Sequence, residues 1–193
     1  HRPHGLNRAA VQLVSLGYAV PGAVIVVGLL LPVGWLQSVA PQTSVGYWVT
    51  ATALGIVWAY LVRFCAVALQ SVQSGYSRIP SSLDDSARML GTTGMGLLSR
   101  VHWPLLKRSV AVAGLLVFVD VMKELPATLL LRPFNFETLA TRTYRLASDA
   151  RLAEASTAAL AIVVLGVIPT ILLSLSISRG ATREALAPPN TEK

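Results

Sequence analysis

Residues 9–62, AAVQLVSLGYAVPGAVIVVGLLLPVGWLQSVAPQTSVGYWVTATALGIVWAYLV, contain no Asp, Glu, Lys or Arg. This uncharged run of 54 residues lies between Arg8 and Arg63 and decides the class of fold. A water-soluble domain would leave part of such a stretch on its surface and aggregate. The whole 193-residue chain agrees, being 53% hydrophobic and only 13% charged, where a soluble domain carries about 25% charged residues. A soluble enzyme, a disordered tail and a disulfide scaffold are all excluded. An all-α integral membrane protein remains. The balance of 16 Lys plus Arg against 9 Asp plus Glu gives a net charge of +7. No basic stripe is interleaved with aromatics, so nucleic acid is not an expected partner. Basic loops facing the cytoplasm and anionic lipid explain the excess instead.

Four spans are expected. The first covers residues 18–36, whose nineteen residues reach roughly 28 Å at 1.5 Å per residue, close to the hydrocarbon thickness. Tyr18 and Trp35 bracket it as interface anchors, and Pro21 and Pro32 lie near its ends. The second covers 47–69, opens on Tyr47 and Trp48, and carries Arg63 in its second half. A guanidinium at that depth must snorkel, pair with an acid or face a polar cavity. The third covers 109–125 and the fourth 155–178, which is free of charge. Between the last two, Pro126, Pro133 and four arginines argue for a loop with one short helix near Thr138 to Ala147. The single cysteine, Cys65, is expected as a small packed hydrophobe. His1 and His4 are expected to be solvated, and the tail after Arg179 polar and frayed.

Counting Lys and Arg by loop orients the chain. The start, the middle loop and the tail hold ten (Arg2, Arg8, Arg78, Arg88, Arg100, Lys107, Arg108, Arg179, Arg183, Lys193), and the opposite side four (Arg132, Arg142, Arg145, Arg151). Both termini and the middle loop are therefore expected in the cytoplasm. In that loop Ser82, followed three residues later by Asp85, reads as a capping box that starts a helix near Leu83. Asp84 and Asp85 suit its first turn, Arg88 its end, and Gly91 its termination. At about eight residues the helix is too short and too charged to span. Leu83, Ala87 and Leu90 give it one apolar face that can dock on a neighbour.

The stretch DSARMLGTTGMGLLSRVHWP (residues 85–104) resembles the "EAA" loop of the inner-membrane permeases of binding-protein-dependent ABC importers. Asp85, Ser86, Ala87 and Gly91 fill the first part of that motif. Val101, Trp103 and Pro104 fill the second, after an interval of nine residues. Asp stands for Glu, Ser for Ala, Val for Ile and Trp for Leu, and none reverses the character of its position. Residues 118–149, FVDVMKELPATLLLRPFNFETLATRTYRLASD, are similar to the ferric-iron subgroup of these permeases.

The resemblance implies a type I importer permease fold, present in part, with a coupling loop over 81–104 that docks on a cytosolic ATPase dimer. It implies a multi-pass protein of the bacterial inner membrane. Its other partners would be a periplasmic solute-binding protein, a second permease half and the lipid bilayer. The chain reads as a single transmembrane domain over 1–193, the carboxy-terminal half of a longer permease. Iron is the implied cargo; permeases for thiamine, polyamines, phosphonates and sulfate share the loop motif.

Ferric ion is a hard cation that prefers oxygen ligands. Asp120 and Glu124 therefore either line the entry to a pathway near Arg63, or pair with Lys123 or Arg63 and hold helices together. At spacings of three and four, Asp120, Lys123 and Glu124 are expected on one helical face. No metal site is identified. The run GTTGMG lacks the Lys and the Ser/Thr of a phosphate loop, so no cofactor is expected and ATP hydrolysis belongs to a partner. His102 is expected as an interfacial side chain. Two other classes compete with a permease: a membrane scaffold whose loop only recruits a partner, and a gradient-driven transporter. The latter fits poorly without an internal repeat.

Overall fold

The structure is a computed structural model that describes residues 5–185. His1, Arg2 and His4, and the last part of the polar tail with Lys193, lie outside the described residues. The described residues form α-helices joined by short turns, with no strand among them. In order these are α1 (Gly5–Ala19), α2 (Gly22–Val39), α3 (Val45–Thr50), α4 (Leu54–Tyr76), α5 (Ser81–Met89) and α6 (Met95–Leu97). A π-helical turn (Leu98–His102) follows, then α7 (Trp103–Met122), α8 (Pro126–Leu131), α9 (Leu139–Ser148) and α10 (Leu152–Ala185).

Local chemistry sets the breaks. Pro21 has no N–H and sits at φ −56°, ψ 140°, an extended conformation that also keeps Val20 out of the helix. The stretch 18–36 is therefore not one rod. Tyr18 lies in the last turn of α1, which ends at Ala19, and the apolar run proper starts at Gly22 and continues to Val39. Tyr47 and Trp48 belong to α3, not to the start of α4, and stack edge to face at 5.9 Å. The turn between α3 and α4 is held by Thr52, whose hydroxyl donates to the Trp48 carbonyl and accepts from the Leu54 amide at 3.2 Å. A short hydroxyl side chain there competes with the helical ladder.

α4 is the hub, packed against α1, α2, α7 and α8; α10 packs on α9 and α7. Val26, Ile56, Ala59, Ala127 and Leu131 form the core shared by α2, α4 and α8. Small residues let backbones approach, as in membrane helix pairs generally. A side chain at Gly17 would strike the Val62 carbonyl, and one at Gly75 the Ser109 hydroxyl.

Among the described residues three helices, Gly22–Val39, Leu54–Tyr76 and Leu152–Leu172, are long and apolar enough to cross a membrane. Only 11% of the first is buried within the chain, so its apolar surface needs lipid or another subunit as cover. α7 has the length of a span but carries Lys107 and Arg108 near its start and Asp120 near its end. Cys65 is exposed on α4, contrary to the expectation of a packed thiol. It lines a shallow apolar cleft with Leu13, Val14, Gly17, Trp58, Leu61 and Val62. The helix expected near Thr138 is α9, capped by reciprocal Thr138–Thr141 bonds; α8 has no counterpart in the sequence reading.

Candidate functional site

The loop over 81–104 is built around α5. Pro80, at φ −70° and ψ 144°, occupies its N-cap and no side chain caps it. The capping box of Ser82 and Asp85 is therefore absent: the helix begins at Ser81, before Ser82, and Asp85 instead approaches Arg88 at 3.9 Å. Ser81 accepts the first helical position because proline has already fixed an extended entry. Of the expected apolar face, Ala87 is buried, whereas Leu83 is partly exposed and Leu90 fully so. Met89, Leu90 and Met95 form an apolar tip open to solvent. Gly91 ends α5 with φ +77°, and Gly94 follows at φ +56°. The left-handed turn is tied by Gly91 N–H to Arg88 and Thr92 N–H to Ala87, both 2.9 Å. Val101 lies half-buried in the π-helical turn, Trp103 is exposed, and Pro104 is the second residue of α7, directly after that turn.

His102 is not an interfacial side chain. It is 5% exposed, its Nε2 lies 3.2 Å from Asp84 Oδ1, and Asp84 is equally buried. Tyr76, the last residue of α4, stacks on the imidazole with centroids 5.2 Å apart. Sequence reading missed this junction. Its one signal was spacing: Asp84 sits three residues before Ala87, on the face that α5 turns inward.

The second polar cluster lies between the helices. Arg63 Nε is 3.3 Å from Glu124 Oε2, and its Nη1 donates to the Val20 carbonyl at 3.1 Å. Glu124 is 6% exposed and also accepts from the Ala127 amide at 3.3 Å. The Glu124 carbonyl receives the Thr128 hydroxyl at 2.9 Å, and Thr128 in turn meets the Tyr60 hydroxyl. A polar chain thus runs Arg63–Glu124–Thr128–Tyr60 through the wall formed by α4 and α8. Gly22 closes its other side: a Cβ there would lie 2.5 Å from Glu124 Oε1 and 3.0 Å from Arg63 Nη1. Asp120 is separate. It pairs with Lys123 at 2.9 Å and receives the Tyr18 hydroxyl at 3.5 Å. The three charged residues do not share a helical face, because α7 ends at Met122 and the chain turns before Glu124. Each acid already faces a cation, and no three His, Cys, Asp or Glu side chains come together as a metal site among the described residues.

The sequence matches the family model of the binding-protein-dependent transport system inner membrane component over residues 4–182. Among curated proteins it is 29% identical over 164 residues to the Fe(3+)-transport system permease protein FbpB 2 of Haemophilus influenzae, covering 84% of this chain and 30% of that protein. It is also 29% identical over 160 residues to the putative 2-aminoethylphosphonate transport system permease protein PhnV of Salmonella typhimurium, covering 77% of this chain and 59% of that one. The chain therefore spans less than two thirds of the curated relatives it matches. No solved structure gives a significant match.

Proposed function

This chain belongs to the family of binding-protein-dependent transport system inner membrane components, and from that membership we propose that it is a permease subunit of an ABC importer for ferric iron. In this reading a periplasmic binding protein delivers the ion, a second permease half completes the pathway, and a cytosolic ATPase pair drives the cycle. The observation that carries it is the loop over 81–104. A nine-residue helix, ended by a left-handed glycine and tipped by Met89 and Leu90, suits insertion into a groove of a motor subunit. Asp85, Ser86, Ala87 and Gly91 would form the coupling helix and its turn, and Val101, Trp103 and Pro104 the return into α7. The arginine count places this loop in the cytoplasm. Alternating access then follows as rocking of packed helices when the ATPases close.

Iron is favoured by the similarity to the Haemophilus permease. Phosphonate is the second reading, favoured by the similarity to the Salmonella one. In this reading Asp120, half-buried and paired with Lys123, lines the outer entry, and Glu124 and Arg63 brace the wall beside it. The test is purification of the intact transporter with its native partners, followed by proteoliposome uptake of radiolabelled ferric ion and of 2-aminoethylphosphonate. ATP-dependent iron uptake supports the reading. Phosphonate uptake alone moves the assignment to the second cargo, and an intact complex without any ATPase overturns both. Neutralising Asp120 should lower uptake severalfold at equal protein level; unchanged uptake removes it from the route.

A further inference from the structure

A coupling helix has to deliver its displacement to the spans, and the backbone on either side of α5 is poorly suited to do so. On the far side the chain runs through Gly91-Thr92-Thr93-Gly94 with both glycines at positive φ, a segment that bends instead of pushing. On the near side it runs through Ser77–Pro80, outside any helix. Rigid transmission therefore needs a side-chain contact, and one is present. Asp84, midway along α5, faces inward and meets His102 at 3.2 Å, with both side chains only 6% exposed. His102 is the last residue of the π-helical turn and directly precedes α7. The 3.2 Å approach of Nε2 to Asp84 is a close polar contact between two buried side chains, and it joins the ring to α5. Its face rests on Tyr76 at the end of α4. Three elements, α4, α5 and α7, thus meet at a single imidazole.

We propose that Asp84 and His102 are positioning residues that form a rigid strut, carrying the displacement of α5 into α7 and, through the stacked ring of Tyr76, into α4. This rests on reading α5 as the coupling helix. The strut stays closed throughout the cycle. Its place at the end of a π-helical turn is apt, because such turns interrupt the regular ladder and are common at functional positions.

The experiment uses the intact transporter purified with its ATPase, so that no cargo need be known. Hydrogen–deuterium exchange is measured with and without ATP for wild type, His102→Gln and Asp84→Asn. In wild type, ATP changes exchange both in α5 and at the root of α7, residues 103–109. In either variant the ATP-dependent change at 103–109 falls at least fivefold while that in α5 remains. A merely structural role would instead shift exchange equally with and without ATP. An unreduced ATP response at 103–109 in both variants overturns the strut. Should either variant fail to fold, Asp84→Cys with His102→Cys in a Cys65→Ser background, bridged by a short bis-methanethiosulfonate that releases sulfinate at each disulfide formed, replaces it. The bridged protein should recover the response, and a bridged protein that loses it overturns the proposal. Failure of the reading beneath it looks different: the ATPase then does not co-purify, even with wild type.

Discussion

Gly22 shows how much one missing side chain can hold in place. It sits where the chain re-enters a helix after Pro21, directly over the Arg63–Glu124 pair. Breaking a buried ion pair from one side costs about 3–5 kcal/mol, because the surviving charge is stranded. Gly22→Leu should push Glu124 off Arg63 and lower the stability of the detergent-solubilised assembly by about 3 kcal/mol, read from denaturation midpoints; a neutral effect would mean that the pair relaxes freely. Gly91 makes a different demand. It has open space around it but φ +77°, so the penalty for a side chain is backbone strain, about 1–2 kcal/mol. Gly91→Val should cut ATP-driven uptake by about tenfold at equal membrane level, whereas Gly91→Asn, a residue that tolerates the left-handed region, should retain most of it. Sequence spacing singled out Gly91 because glycine after a short helix is a known stop. Gly22 gave no such signal, since its role depends on Glu124, which is 102 positions away.

At the level of elements, short helices owe their existence to caps and burial in differing proportions. α9 is amphipathic and carries a full capping box, with Thr138 accepting from Thr141 N–H and Thr141 Oγ1 receiving Thr138 N–H at 2.9 Å. Thr138→Ala should destabilise it by about 1 kcal/mol, seen as faster amide exchange over Leu139–Arg142 with little change in α10; uniform change along the chain would refute a local cap. The helical extent of α9 and α5 was legible because charged and polar residues alternate there with apolar ones. The start of α5 was misread, since Pro80 as well as Ser82 offers a beginning, and a locked proline entry preceded the weaker serine cap. α8 was illegible for another reason. Its six residues are too few for any period to appear, and they are helical because Ala127, Thr128 and Leu131 are enclosed by other elements. The break between α1 and α2 was half visible: Pro21 stood out, but an unbroken apolar run hid that the chain turns there.

For the molecule as a whole, membrane character was fully legible from residues 9–62, because the absence of charge over such a length admits no aqueous solution. Which apolar faces look outward was not, since composition does not distinguish lipid-facing from packed positions; Cys65 is the clearest case. Exposed on α4 beside Trp58 and Leu61, it should react in intact membranes with an uncharged methanethiosulfonate at least tenfold faster, relative to each reagent's rate with a free thiol in water, than with a charged one. Equal rates would place that face of α4 in water. The enclosed position of α8 has a mechanical consequence. Ala127, Thr128 and Leu131 fill the space between α2 and α4 with almost no surface left, and vacating it would cost about 24 cal/mol for every Å³ left empty. In any rearrangement of the chain this wedge favours α2, α4 and α8 moving as one body, like a single door leaf.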